Sequence, residues 1–251
     1  MHKFFVPENN IINNNIVTIT GDDVKHIYKV LRLKIGDKIN INNCIGEEFL
    51  AEIKSIDKKA VICNIIENTN TNNESNIKIH LYQGLPKATK MELITQKATE
   101  LGVMSVTPVI TERVIVKNEL SESKKIDRWN KIALEACKQS KRTVIPKIKN
   151  IVKFNEFLDE VKNFDLVVVP YENEKNQGVK NMIVNLKGRK INTIAIMVGP
   201  EGGFEEEEIK QLKDIGAYIV TLGPRILRTE TAGFVCSSLL MYELGDIGGE
   251  I

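Results

Sequence analysis

The 251-residue sequence contains no apolar run near the roughly 20 residues that a helix needs to cross a bilayer. Its first ten residues, MHKFFVPENN, lack the basic, apolar and small-residue regions of a secretory signal, so no membrane association and a cytoplasmic location are expected. Cysteines are few and scattered. Cys44, Cys63, Cys137 and Cys236 form no CxxC pair and stand at no ligand spacing from His2, His26 or His80. This excludes a disulfide framework and a structural zinc, so no metal is expected, and the thiols read as small buried hydrophobes. The phosphate-loop pattern GxxxxGK[ST] and the dinucleotide pattern GxGxxG are also absent.

Charge is distributed unevenly along the chain. Residues 1–76 carry 9 basic and 10 acidic side chains, residues 77–150 carry 15 and 7, and residues 151–251 carry 11 and 16, for nets of −1, +8 and −5. A basic middle suits a polyanion and an acidic last third does not, although a charge run is commonly just a solvated face.

Local patterning divides the chain in two. Residues 16–19, 37–41, 48–56 and 60–66 are short, partly alternating apolar stretches separated by turn signals, as in a small β-barrel. The polar, asparagine-rich stretch 68–76 (NTNTNNESN) makes a linker, which places the boundary between residues 1–72 and 73–251. Beyond it, strands expected at 77–82, 103–109, 166–169, 193–198 and 218–222 alternate with helical stretches, the signature of an α/β layer with a mostly parallel sheet. Met91, Ile94, Ala98 and Leu101 share one helical face, as do Ile126, Trp129, Ala133 and Ala136, and both faces read as core. On the first of these helices Lys90 and Lys97 are placed to point together toward a ligand.

Two segments carry chemistry. The apolar run 193–198 reads as a strand buried on both faces, and it ends abruptly in Gly199-Pro200-Glu201-Gly202-Gly203. Ligands of α/β sheets sit at such strand ends, where glycines allow close backbone approach. Glu205 to Glu208 then fill the first turn of the next helix, which suits the helix dipole but repels a phosphate. A cofactor without phosphate, such as cationic S-adenosyl-L-methionine, is better accommodated. Alone, GPEGG is equally readable as a strand-to-helix turn. The second segment, residues 222–232 (LGPRILRTETA), opens a helix with Thr229 as the expected N-cap. Arg225 and Arg228 lie just before that positive helix end, where they ask for an anion or a developing negative charge.

Together these segments resemble the RsmE family of 16S rRNA uracil-N3 methyltransferases, within the SPOUT superfamily. The resemblance runs nearly end to end: HIYKVLR at 26–32 followed by Gly36-Asp37, KATKMELITQKATELGV at 87–103, Pro108, Glu112-Arg113, and WNKIALEACKQSKR at 129–142 match in order and spacing. Departures are small, among them Lys3 in place of a commoner arginine and Gly233 in place of an alanine after TETA.

The resemblance implies an N-terminal PUA-like β-barrel for RNA binding over residues 1–72. It implies a SPOUT α/β domain over residues 73–251, its chain tied in a deep trefoil knot, a topology that periodicity could never reveal. It implies S-adenosyl-L-methionine as cofactor, held by Val169, Pro170 and Tyr171 at one strand end, by Met197, Gly199, Pro200, Glu201, Gly202 and Gly203 at a second, and by Leu222, Gly223, Ile226, Leu227 and Thr229 at a third. A homodimer is implied too, with 16S rRNA or the small ribosomal subunit as partner.

Uracil N3 bears a proton on the pairing edge, so its methylation requires an exposed base. Arg228, with Arg225, is expected to stabilise charge on the uracil carbonyls or to anchor a neighbouring phosphate. The residue that takes the proton stays open, with Glu201 and Glu230 as candidates. His26 and Arg32 are expected to contact RNA from the barrel, and Lys87, Lys90, Lys97, Arg113, Lys138 and Arg142 to supply phosphate contacts collectively. Two rivals remain: a ribose 2′-O-methyltransferase with the same knotted site, against which the HIYKVLR match weighs, and a non-catalytic RNA-binding assembly factor, against which the intact glycines and arginines weigh.

Overall fold

The computed structural model describes residues 2–69, 71, 73–87, 89–114 and 122–249. Its contacts divide the chain into two units, Met1–Glu74 with Cys137–Ile145, and Ser75–Ala136 with Pro146–Ile251.

The first unit is built on β1 (Lys3–Phe5), β2 (Ile11–Ile12), β3 (Ile16–Thr20), β4 (Lys38–Asn42), β5 (Glu48–Ile56) and β6 (Ala60–Asn68), with a short helix α1 (Asp22–Lys25). The strands form one curled sheet in the order β1-β4-β5-β6-β3-β2, antiparallel except for the β1–β4 pair. Alternation decides its core: Val17 and Ile19 on β3, Ile39 and Ile41 on β4, Phe49, Ala51 and Ile53 on β5, and Val61 and Cys63 on β6 all point inward. The β5–β6 turn is closed by the Asp57 carboxylate, which accepts the N–H groups of Lys59 (2.5 Å) and Ala60 (2.9 Å). Glu74 fastens the later segment to this unit by accepting the N–H groups of Thr143 (2.9 Å) and Val144 (3.0 Å) and pairing with the Arg142 guanidinium.

The second unit is a parallel sheet with helices packed on it. Its strands are β7 (Lys78–Gly84), β8 (Ser105–Ile110), β9 (Lys147–Ile148), β10 (Val152–Lys153), β11 (Leu166–Pro170), β12 (Thr193–Val198) and β13 (Tyr218–Val220). The order is β10-β8-β7-β12-β11-β13, with β9 also on β8. Its helices are α2 (Lys90–Glu100), α3 (Glu122–Ser140), whose last turn lies in the first unit, α4 (Phe154–Glu160), α5 (Val179–Asn185), α6 (Glu206–Asp214) and α7 (Thr229–Leu244). Every residue of β11 is buried, as is all of β12 beyond Thr193. One face of the sheet packs Tyr82, Val169, Ala195 and Met197 against Phe154 and Phe157 of α4 and Ile209 and Leu212 of α6. Against β7 and β12 packs α7, which also meets α2. Of the apolar faces read from the sequence, Met91, Ile94 and Ala98 on α2 and Trp129, Ala133 and Ala136 on α3 are buried, while Leu101 and Ile126 are half-buried.

Three of the four thiols, Cys63, Cys137 and Cys236, are buried, and burial pushes each up to about 12, which keeps them protonated and inert.

Candidate active site

The carboxyl ends of β7, β11 and β12 converge, and there the backbone comes unusually close to itself. A Cβ on Gly84, the last residue of β7, would stand 2.5 Å from the Pro200 nitrogen, so only glycine allows the 199–203 loop to lie across that strand end. Gly203 adopts φ +71, the left-handed region, which closes the loop before α6. Glu205 then caps α6, and its backbone N–H donates to Glu208 (2.9 Å), while Glu208 also accepts the Glu112 N–H (3.0 Å).

The expectation that Thr229 caps α7 is corrected: Arg228 is the N-cap residue, in extended conformation, and Thr229 is the first helical residue. Its hydroxyl instead donates to the Gly199 carbonyl (2.6 Å) and accepts from Gln83 Nε2 (2.7 Å). This chain of bonds ties the end of β7, the glycine loop and the start of α7 into one wall. Neither Gln83 nor Gly84 was singled out by the sequence. Gln83 has a usable signal, being a polar residue on the inward alternation of a strand.

Between these elements lies a cavity of about 430 Å³. Pro170, Gly199, Pro200, Glu201, Gly203, Ile226, Leu227 and Thr229 line it, as do Lys90 and Arg228. A smaller recess of about 90 Å³ joins Pro170, Ile226 and Leu227 to Tyr171, Leu222, Gly223 and Arg225. Both are also lined by Glu172 and Ala232, which sequence reasoning missed although Glu172 directly follows the strand end it identified. Three expected residues are not on the walls. Val169 and Met197 are wholly buried in the sheet, where they hold the strand ends, and Gly202 packs against Arg113. A larger open depression of about 700 Å³ lies beside Thr111, Phe154 and the first turn of α6, but lacks the glycine approaches.

The charged groups fall into two sets. Lys90 Nζ reaches Glu201 Oε1 (3.1 Å) and Glu230 Oε2 (3.3 Å), and the Lys87 N–H also donates to Glu201 (3.1 Å). Partial burial works to raise the Glu201 carboxyl, but its own backbone N–H, that of Lys87 and the Lys90 ammonium together hold it below its ordinary value. Burial likewise works to lower Lys90, and its two carboxylate partners outweigh that and raise it. Both groups therefore stay ionised around neutrality. Arg113 donates to Glu205 (2.7 Å) and to the Gly202 carbonyl (2.7 Å), bracing the glycine loop from outside. Arg225 and Arg228, by contrast, are exposed, and their guanidinium groups have no hydrogen-bond or ion-pair partner among the described residues.

The expected RNA contacts scatter. Lys90 and Lys97 do not point together, because Lys97 pairs with Glu100 (2.8 Å) one helical turn away. Arg142 is 3% exposed with its guanidinium on Glu74, which corrects its expected role: it secures the fold and is not presented to a phosphate. Lys87 is exposed and Lys138 half-buried. In the first unit His26 is exposed, edge-on to Phe4, in a π-helical turn (His26–Val30), and Arg32 follows at φ 54. Irregular turns and left-handed non-glycine residues of this kind concentrate at functional sites.

A family model described as an RNA methyltransferase domain matches residues 73–241, and one described as an RNA methyltransferase PUA domain matches residues 19–66. Fold and matches define the class as RNA methyltransferases with an α/β SPOUT domain and an N-terminal PUA domain. Ribosomal RNA small subunit methyltransferase E of Bacillus subtilis (strain 168) is 38% identical over 93% of this chain and 92% of its own. The protein of that name from Mesomycoplasma hyopneumoniae (strain 232) is 35% identical over 92% and 95%. The crystal structure of ribosomal RNA small subunit methyltransferase E from Neisseria gonorrhoeae bound to S-adenosyl methionine superposes with a TM-score of 0.82 at 32% identity, covering 98% of this chain and 99% of that one. Within the class, this chain belongs to the ribosomal RNA small subunit methyltransferase E family.

Proposed function

We propose that the protein transfers a methyl group from S-adenosyl-L-methionine to N3 of a uridine in 16S rRNA of the small ribosomal subunit, in the cytoplasm. One observation carries the reading: a strand-end cavity walled by close-packed glycine backbone has at its rim an arginine without a carboxylate partner among the described residues. The cavity fits the cofactor chemically. Pro170, Val198, Ile226 and Leu227 offer apolar surface to a nucleoside, the 199–203 and 222–227 backbones can approach it closely, and Glu172 and Glu201 suit its positive charge. When bound, the cofactor supplies a methyl group activated by a sulfonium.

The chain's own residues would do the rest. Arg228, with no carboxylate partner among the described residues, is available to the negative charge that develops on the uracil carbonyls as N3 loses its proton. Arg225, at the mouth of the smaller recess, is available to a flanking phosphate. Glu201 is ionised at the cavity wall and Glu230 lies just behind Lys90, so both remain candidates for the proton acceptor. His26, Arg32 and Lys87 are exposed and would contact RNA.

The reading includes the trefoil knot. β13 lies outside β11, whereas α7 packs on β7, β12 and α2, so residues 221–228 return past the ends of β11 and β12. It also includes a homodimer. Helix α7 is apolar around its circumference, yet Phe234, Val235 and Leu239 are only half-buried and Tyr242 is 64% exposed, a face that a second copy would cover.

Mapping of the modified nucleotide tests the reading. Methylation at N3 blocks pairing and should halt reverse transcription at one uridine of unmodified small-subunit RNA. A product that leaves the pairing edge intact, as a ribose methyl group does, would count against it.

A further inference from the structure

Lys90 is oddly placed for a helical residue. It is the first residue of α2, where a cation opposes the partial positive charge of the helix N-terminus. The sequence also offers it as one of several basic residues facing RNA. In the structure its ammonium turns to the cavity wall and bridges two carboxylates from different elements, Glu201 of the glycine loop at 3.1 Å and Glu230 of the first turn of α7 at 3.3 Å. Glu230 is buried and Lys90 half-buried, while Glu201 sits at the more exposed rim. The other charged groups on this cavity, Glu172 and Arg228, form no ion pair with Lys90.

We propose that Lys90 is a positioning residue: its ammonium clamps the glycine loop, through Glu201, to the start of α7, through Glu230, and so fixes the two walls between which cofactor and uridine meet. The inference rests on the functional reading above. The Thr229 hydroxyl joins the same two elements from the sheet side, so the walls are fastened at their base by Thr229 and at their rim by Lys90. Without the ammonium, Glu201 and Glu230 would be left as neighbouring like charges with no cation between them, and the rim would open.

Calorimetry with S-adenosyl-L-methionine separates this role from a phosphate contact. Lys90→Met should weaken cofactor binding by about tenfold, the loss typical of one charged hydrogen bond, while Lys90→Arg should retain most of it. Glu230→Gln should reproduce the loss and also serves if Lys90→Met does not fold. The double variant should lose little more than the worse single one, because both break the same clamp. A second readout is the rate against pH. The Lys90 ammonium helps to hold the Glu201 carboxyl low, so in Lys90→Met that group should protonate at higher pH and activity should fall away earlier on acidification.

Full cofactor affinity in Lys90→Met, with a weaker RNA complex and a shallower salt dependence, would make Lys90 a phosphate contact and overturn the clamp. If the wild-type protein takes up no cofactor, the functional reading falls and the clamp with it. Normal wild-type uptake with unaffected variants removes the clamp alone.

Discussion

The two sides of the cavity are built by opposite rules. On the glycine-loop side Lys90 is matched by Glu201 and Glu230, and Arg113 by Glu205. There the backbone is packed so closely that Gly84 admits no side chain. On the arginine-loop side, residues 223–228 leave Arg225 and Arg228 without carboxylate partners among the described residues and Ile226 85% exposed. A wall whose charges are already paired can hold a ligand in place but offers little to a new charge. An unpaired, exposed loop is poorly stabilised by its own chain and keeps its full interaction strength for a substrate.

The sharpest way to break the first wall is Gly84→Val. Its Cβ would meet rigid backbone at Pro200, which should cost about 3 kcal/mol or more of stability in urea denaturation and abolish cofactor binding. Wild-type stability in that variant would mean the close approach is not a constraint. On the opposite wall, Arg228→Ala should lower turnover by about 10² while leaving cofactor affinity unchanged, and Arg225→Ala should mainly weaken RNA binding, reducing its salt slope by about 0.7. Equal losses of cofactor affinity in all three variants would erase the distinction between the walls.

Two smaller effects probe the frame behind them. His80, on β7, accepts or donates a hydrogen bond with Ser105 (2.7 Å), and burial, followed by the nearby Lys149 and Lys78 ammonium groups, pushes it down to about 4. An unfolded histidine titrates near 6.5, so between that pH and about 4 the unfolded chain binds the extra proton. Stability should therefore decline as pH falls through this window, and His80→Gln should flatten that part of the melting-temperature profile. The smallest change is expected from Gly233→Ala. A Cβ there meets its nearest neighbours at 3.7 to 3.9 Å, ordinary contact, and alanine in the interior of α7 should add about 0.5–1 kcal/mol without altering cofactor affinity.

Much of the frame is legible in the sequence. Alternating apolar residues located β3 to β6, a continuous apolar run located β12, and 3.6-residue spacing located most of the buried faces of α2 and α3, because each pattern is the direct imprint of a local geometry. The strand-end glycines and the RILR loop were legible for the same reason. Boundaries slipped where a cap was chosen by tertiary contact: Thr229 looks like an N-cap, but its hydroxyl found the Gly199 carbonyl and Gln83 instead. Helical spacing placed Lys90 and Lys97 on one side of α2, yet they diverge, since long flexible side chains follow their partners and not their Cα positions.

By itself the sequence determined the element types, the two textures of the chain, and the segments where backbone could meet a cofactor. These follow from neighbours within a turn or a strand. Tertiary structure alone decided which charges are satisfied and which are free: Lys90 with Glu201, Arg142 with Glu74 and Gly84 beneath Pro200 join residues far apart in the chain. Whether an arginine faces RNA or a buried glutamate depends on what the fold brings within about 4 Å of it, and no local pattern encodes that distance.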